Sequence, residues 1–160
     1  MVAYIALIIT GVGVIGALIA LRQNYRQRLR QFEEMYVQRY WAISDRLSLA
    51  TMSSNAPGGQ VDESDEKAIR AYIRLCEDEM EVRAEGWISD TTYAIWARAI
   101  CIQMKMPGFA QVWQRVREES IFPYTHLERL LYSCEGKLYD PCQMPLWHRW
   151  LHGLAGTHGV

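Results

Sequence analysis

Basic side chains are missing from the first 21 residues, helix breakers are missing from residues 17 to 56, and no two cysteines form a CxxC pair. The first absence removes the charged leader of a cleaved export signal, and Ala17-Leu18-Ile19-Ala20 offers no small-x-small cleavage site. The third argues against a zinc ribbon and against a disulfide-built miniprotein, because Cys76, Cys101, Cys134 and Cys142 are simply scattered. Such cysteines fit a reducing compartment and, on or beside apolar stripes, read as packing residues. There is no HExxH, no Glu-x-x-His pair, no GxSxG and no Gly-rich phosphate loop, so no recognised catalytic pattern stands out. Net charge is also lacking: 17 Lys and Arg against 18 Asp and Glu leave −1, which gives no general affinity for nucleic acid.

What the chain does have is apolar residues, at 50% of 160, enough for one modest domain with an appendage. The appendage is Val2 to Leu21, twenty residues without a charge, eleven of them Val, Ile or Leu. At ~1.5 Å per residue this run matches the ~30 Å apolar thickness of a bilayer, and its aliphatic residues favour insertion by roughly 3–7 kcal/mol. It reads as a retained transmembrane helix. Arg22, Arg26, Arg28 and Arg30 follow it directly, so the positive-inside rule places the N-terminus outside and residues 22–160 in the cytoplasm, at an inner or plasma membrane. Small residues at Ala3, Ala6, Thr10, Gly13, Ala17 and Ala20 fall on one stripe, where a second helix could approach closely. The glycines of Gly11 to Gly16 belong to this run and are not a dinucleotide loop.

Beyond the membrane, Tyr25, Leu29, Phe32, Tyr36, Tyr40, Ile43 and Leu47 recur at helical spacing. Residues 22–50 therefore read as a helical stalk about 40 Å long, whose stripe must be covered by following helices or by a partner stalk. Residues 51–65 shift to Ser, Pro, Gly and acid and form a linker. A helix over residues 66–85, capped by Ser64 or Asp65 and ended by Gly86, would bury Ile69, Tyr72, Ile73, Cys76 and Met80. A second runs from Thr91 to Lys105 behind a Ser89 or Asp90 cap, with Tyr93, Trp96, Ile100 and Met104 inward. A third begins at Phe109 with Val112, Trp113 and Val116 on one face. Thr125 to Glu128 is a capping-box pattern opening a fourth, with Leu127, Leu130, Leu131 and Cys134 inside. The residue 137–160 tail holds a short amphipathic helix from Leu146 to His152, with Pro145 at its first position. Period-two alternation is missing throughout, so the fold class is all-α: a transmembrane helix, a stalk, then a four- to five-helix cytoplasmic bundle over residues 66–136.

Leu75-Cys76-Glu77-Asp78-Glu79, Gly86-Trp87-Ile88-Ser89-Asp90 leading to Trp96, and Pro107-Gly108-Phe109 followed by Trp113 carry a resemblance. Over Tyr72 to Glu119 the chain resembles a family of small single-pass bacterial membrane proteins with a helical cytoplasmic domain of unknown function. The resemblance implies an all-α fold, a membrane location and a bacterial source, and it brings no catalytic residues with it. Fourteen Arg to three Lys suit a high-GC genome.

Candidate sites are few. From Asp62 to Asp90 ten acids face four bases, and Glu77, Glu81 and Glu85 share one helix face at i, i+4, i+8. Like charges at that spacing repel by up to ~0.5 kcal/mol per pair, so they are either a solvated face balanced by arginines or a docking surface. His148 and His152 have the spacing of two ligands on one metal, with Cys142, His158 or a carboxylate as a third, but two ligands in register do not make a site. The tail helix, with Trp147, Trp150, Leu151 and Leu154, suits core closure, a membrane surface or a partner. The reading that follows is a non-enzymatic, membrane-anchored module without a cofactor. It self-associates through span and stalk (Ala6, Thr10, Gly13, Ala17, Ala20) and docks a protein partner on the acidic face, with no role for nucleic acid. The alternatives are a metal-assisted enzyme using the tail histidines and helix carboxylates, and a membrane-active toxin or lysis factor.

Overall fold

The computed structural model describes residues 2–52 and 61–151, without the side chains at 2, 3, 5–9, 150 and 151. Among them lie seven helices and no strand: α1 (Val2–Ser44), α2 (Leu49–Met52), α3 (Glu63–Ala84), α4 (Asp90–Met104), α5 (Pro107–Glu119), α6 (Thr125–Ser133) and α7 (Leu146–Leu151). The missing breakers have the expected effect, and α1 runs unbroken from the apolar segment into the stalk. It stops at Ser44 rather than near residue 50, and most of the linker (53–60) lies outside the described residues.

α3 is the central helix, packed against α1, α5 and α6, while α4 leans on α5 and α6. Its inner stripe of Ile69, Tyr72, Ile73, Cys76 and Met80 is buried, and meets Ile100, Phe109, Val112, Leu127 and Leu130 from the other helices. Each such side chain contributes roughly 1.5–3 kcal/mol on leaving water. The stalk stripe is covered from within the chain. Leu29, Tyr36 and Leu47 are buried, Tyr25 stacks on Trp87, Phe32 lies 5.9 Å from the same ring, Tyr36 meets Trp96 and Tyr40 meets Tyr72. The stripe read from the sequence is thus occupied by helices of the same chain, while Met35, Val37 and Trp41 stay exposed beside it.

Several helix ends are held by residues other than those expected. α3 begins earlier, with Asp62 as N-cap accepting from the Asp65 amide, so neither Ser64 nor Asp65 caps it. Asp65 instead turns back and accepts from the Ser48 amide (2.8 Å), the Ser48 hydroxyl (2.6 Å) and the Thr51 hydroxyl. Burial pushes the Asp65 carboxyl up, but these bonds outweigh it and hold the group below its usual range. Gly86 takes the left-handed conformation (φ 80°) that ends α3, and Ser89 caps α4 through the Thr92 amide. α5 starts at Pro107, two residues before Phe109, and a side chain on Gly108 would meet the Thr51 methyl at 3.3 Å. The Thr125 capping box does not form: the N-cap is Tyr124 without a side-chain bond, and Glu128 pairs with Arg117 at 3.0 Å. Pro145 precedes α7 instead of opening it.

Two further corrections concern charge and sulfur. Arg83 of α3 is fully buried. Its guanidinium donates to the Asp140 carboxylate (2.9 and 2.6 Å), Asp90 (2.8 Å) and the Ile88 carbonyl (2.7 Å), and lies 5.0 Å from the centre of the Tyr93 ring. Arg149 of α7 joins the same two carboxylates. The tail therefore closes on the core through an ion cluster, while Trp147 stays 65% exposed. Cys101 and Cys134 are joined in a disulfide, their Cα atoms 5.7 Å apart where α4 meets the end of α6; Cys76 and Cys142 are free and buried. The reading of Cys101 and Cys134 as thiols that merely pack is thus overturned, because their 33-residue separation forms no motif and only helix packing brings them together.

Replacing Arg83 by Met would leave Asp140 and Asp90 with Arg149 alone and should lower stability by about 3–5 kcal/mol in denaturant unfolding. Adding Asp140→Asn to that variant should cost less than the sum of the two single changes. A loss below about 1 kcal/mol for the single variant would contradict the central place given to the cluster.

Candidate functional site

Among the described residues, the side chains of α1 from Val12 to Leu21 are uncovered. Val12, Ile15, Leu18 and Leu21 are all more than half exposed, at 64%, 59%, 58% and 65%, although they are aliphatic. Thr10, Gly13, Ala17 and Ala20 of the small-residue stripe are exposed too, and the side chain of Ala6 lies outside the described residues. A methyl added at Gly11, Gly13 or Gly16 would meet nothing within 4 Å. Among the described residues, no helix is long and apolar enough to cross a membrane. The apolar run begins with side chains (2, 3 and 5–9) that lie outside that set.

The acidic face divides. Glu77 is buried and points at the start of α6, where its two oxygens accept from the His126 amide (3.0 Å) and the Leu127 amide (2.7 Å). This carboxylate from another helix supplies the cap that Thr125 does not, and it meets the positive end of the α6 dipole. Glu81 and Glu85 remain exposed, so a three-carboxylate docking face does not exist. Elsewhere the acids meet arginines: Asp78 pairs with Arg39 of the stalk (3.1 Å), and Glu66 binds Arg70 and Arg115. Of the histidine pair, His148 is half-buried beside Trp147, whereas His152, like His158, lies outside the described residues. Among the described residues, no group of three His, Cys, Asp or Glu side chains could hold a metal ion.

Two cavities open beside α1. The larger, about 550 Å³, is lined by Arg39, Arg70, Arg74, Glu119, Ser120 and Tyr124. Its charge is largely spent internally, because Arg39 pairs with Asp78, Arg70 with Glu66 and Glu119, and Arg74 lies over the Phe122 ring. The smaller, about 210 Å³, lies between α1, α3 and α4 and is lined by Tyr40, Trp41, Tyr72, Trp96, Ile100 and a single carboxyl, Glu79. Glu79 is only 7% exposed, and among the described residues nothing donates a hydrogen bond to it. Burial pushes its carboxyl up to about 8, with Arg39 drawing it down and Asp78 raising it further.

Glu79 and Arg83 were both missed, yet a signal for them existed. Ile69, Tyr72, Cys76, Glu79 and Arg83 follow one another at helical spacing, so two charges fall in register with an apolar stripe. A charge on an inward stripe needs a partner or a purpose. Arg83 has its partners in Asp90 and Asp140; Glu79 has no hydrogen-bond partner among the described residues and feels Arg39 only through its charge. Compared with known proteins, the chain matches no family model, no curated protein and no solved structure.

The raised Glu79 carboxyl ties stability to pH. The folded chain holds this proton up to about pH 8, whereas an exposed glutamate releases it near 4.5. The contribution is therefore complete below that lower value and fades as pH rises through about 8. Glu79→Gln should remove a slope of up to about 1.4 kcal/mol per pH unit across this window, making the variant the more stable protein at the alkaline end. Urea midpoints at both ends check it, and parallel curves for the two proteins would refute it. Glu77→Ala should cost about 1–3 kcal/mol at any pH in the same experiment, and Glu81→Ala less than about 0.5.

Proposed function

We propose that this chain is a membrane-anchored, non-enzymatic helical module: α1 crosses the bilayer with its N-terminal half and carries the α3–α6 bundle on its C-terminal half. One observation carries the reading. A single unbroken helix changes environment along its length, with aliphatic residues bare from Val12 to Leu21 and the aromatic stripe covered from Tyr25 onward. Bare aliphatic surface of that extent is unfavourable in water and favourable in lipid. Arg22, Arg26, Arg28 and Arg30 mark the junction and favour a cytoplasmic bundle. The span associates with a second copy through Thr10, Gly13, Ala17 and Ala20, and the exposed carboxylates of Glu81 and Glu85 belong to a surface offered to a basic partner. The resemblance over Tyr72 to Glu119 agrees with this layout.

The Cys101–Cys134 disulfide favours a second reading of the orientation, with the same anchor and the bundle on an oxidising side of the membrane. Arginine placement and disulfide pull in opposite directions, and the arginines weigh more because they act at insertion.

Fractionation of cells making the full chain should leave it in carbonate-washed membranes, and external protease should not shorten the bundle in intact cells. Recovery in the soluble fraction would end the anchor reading; external cleavage together with Cys101 and Cys134 resistant to alkylation would reverse the orientation. Gly13→Leu, which has open space around it in the single chain, should abolish crosslinked dimers without changing membrane retention. Dimers surviving that change would remove the small-residue stripe as the interface.

A further inference from the structure

We propose that the cleft between α1, α3 and α4 binds a small organic ammonium ion, held against the faces of Trp41, Trp96 and Tyr40 with Glu79 as its counter-charge. The lining is almost wholly aromatic and aliphatic, and its one acid is buried with no hydrogen-bond or ion-pair partner among the described residues. A carboxylate placed that way is costly unless a cation meets it. Arg39 draws the carboxyl down without bonding to it, since its guanidinium is bonded to Asp78 at 3.1 Å and lies 5.2 Å from the centre of the Tyr36 ring. An ammonium ion carrying methyl or methylene groups satisfies both parts of the site, since it is drawn to aromatic faces and needs no hydrogen bond from an apolar wall. A metal ion would lack ligands there, because Glu79 is the only carboxylate in the lining.

Size and access narrow the class. About 210 Å³ is below the ~300–1,000 Å³ of drug-sized pockets, so the cleft takes an ammonium headgroup of a few heavy atoms. Trp41, 58% exposed, borders its mouth. Along α1 the cleft begins at Val37, sixteen residues past Leu21, or about 24 Å of helix beyond the apolar run. A headgroup anchored in a bilayer at that run would not reach it, so the ligand is a soluble amine rather than a lipid.

Binding a permanent cation displaces the Glu79 proton. The charged and titratable groups around that carboxyl are Tyr36, Arg39 and Tyr40 from α1 and Tyr72, Cys76 and Asp78 from α3, while α4 presents only Trp96, Ala99 and Ile100. Affinity should accordingly rise close to tenfold per pH unit below about pH 8 and level off above it.

The test is titration of the full chain in detergent with choline, followed by tryptophan fluorescence and thermal shift, against the neutral isostere 3,3-dimethylbutanol. Choline should bind, and the alcohol should bind at least tenfold more weakly. Glu79→Gln, which is expected to fold at least as well as the wild type, should weaken choline at least tenfold and flatten its pH dependence. Trp96→Leu should weaken it about twofold to tenfold. Equal binding of alcohol and choline, or undiminished binding by Glu79→Gln, would overturn the proposal. A response to phosphatidylcholine nanodiscs with none to free choline would overturn the assignment to a soluble amine.

Discussion

A buried guanidinium organises the bundle. Arg83 sits on the inner stripe of α3, where an unpaired charge would be intolerable, and it is tolerated because three separate pieces of chain bring it acceptors: Ile88 in the turn after α3, Asp90 at the start of α4 and Asp140 in the segment before α7. Each acceptor is placed by the charge and also fixes the position of its own segment. Remove any one piece and the cation is left short of partners, so the helices, the turn and the tail depend on a common centre. Tyr93 seals the cluster with its ring and donates its hydroxyl to the Tyr139 carbonyl, which holds the same tail segment a second time.

Three acids are likewise drawn out of solvent, each with a different consequence. Asp65 ties the end of the α1–α2 corner to the first turn of α3. Glu77 occupies the N-terminus of α6 and so orients a helix that has no side-chain cap of its own. Glu79 ties nothing together. Its position in an aromatic cleft is unfavourable for the charged form, and burial there raises its carboxyl to about 8.

Helix α1 joins these internal arrangements to the bare apolar segment. Its stalk half is part of the core, covered by Trp87, Trp96 and Tyr72, so the bundle is rigidly attached to whatever environment the other half enters. A flexible linker would let the domain wander; a helix shared by the apolar segment and the core holds the cleft at a set distance from Leu21 along its axis. The small-residue stripe lies on the apolar half of α1, and Gly11, Gly13 and Gly16 have open space around them.

The all-α class was legible because helical periodicity is local: the stripes of α3, α4, α5 and α6 and the Gly86 stop can be read from neighbours three or four residues apart. The same spacing marked the stalk stripe as something that had to be covered. Whether the cover came from this chain or another, which acid would cap α6, and that Cys101 would meet Cys134 were decided by contacts across 33 to 62 residues, where spacing carries no information. Sequence by itself determined which residues turn inward, since a side chain's direction on a helix follows from its position. Only the tertiary structure decided what each of them meets, because the partners of Glu77 and Arg83, and the aromatic walls around Glu79, come from other helices and turns whose approach depends on the packing of the whole.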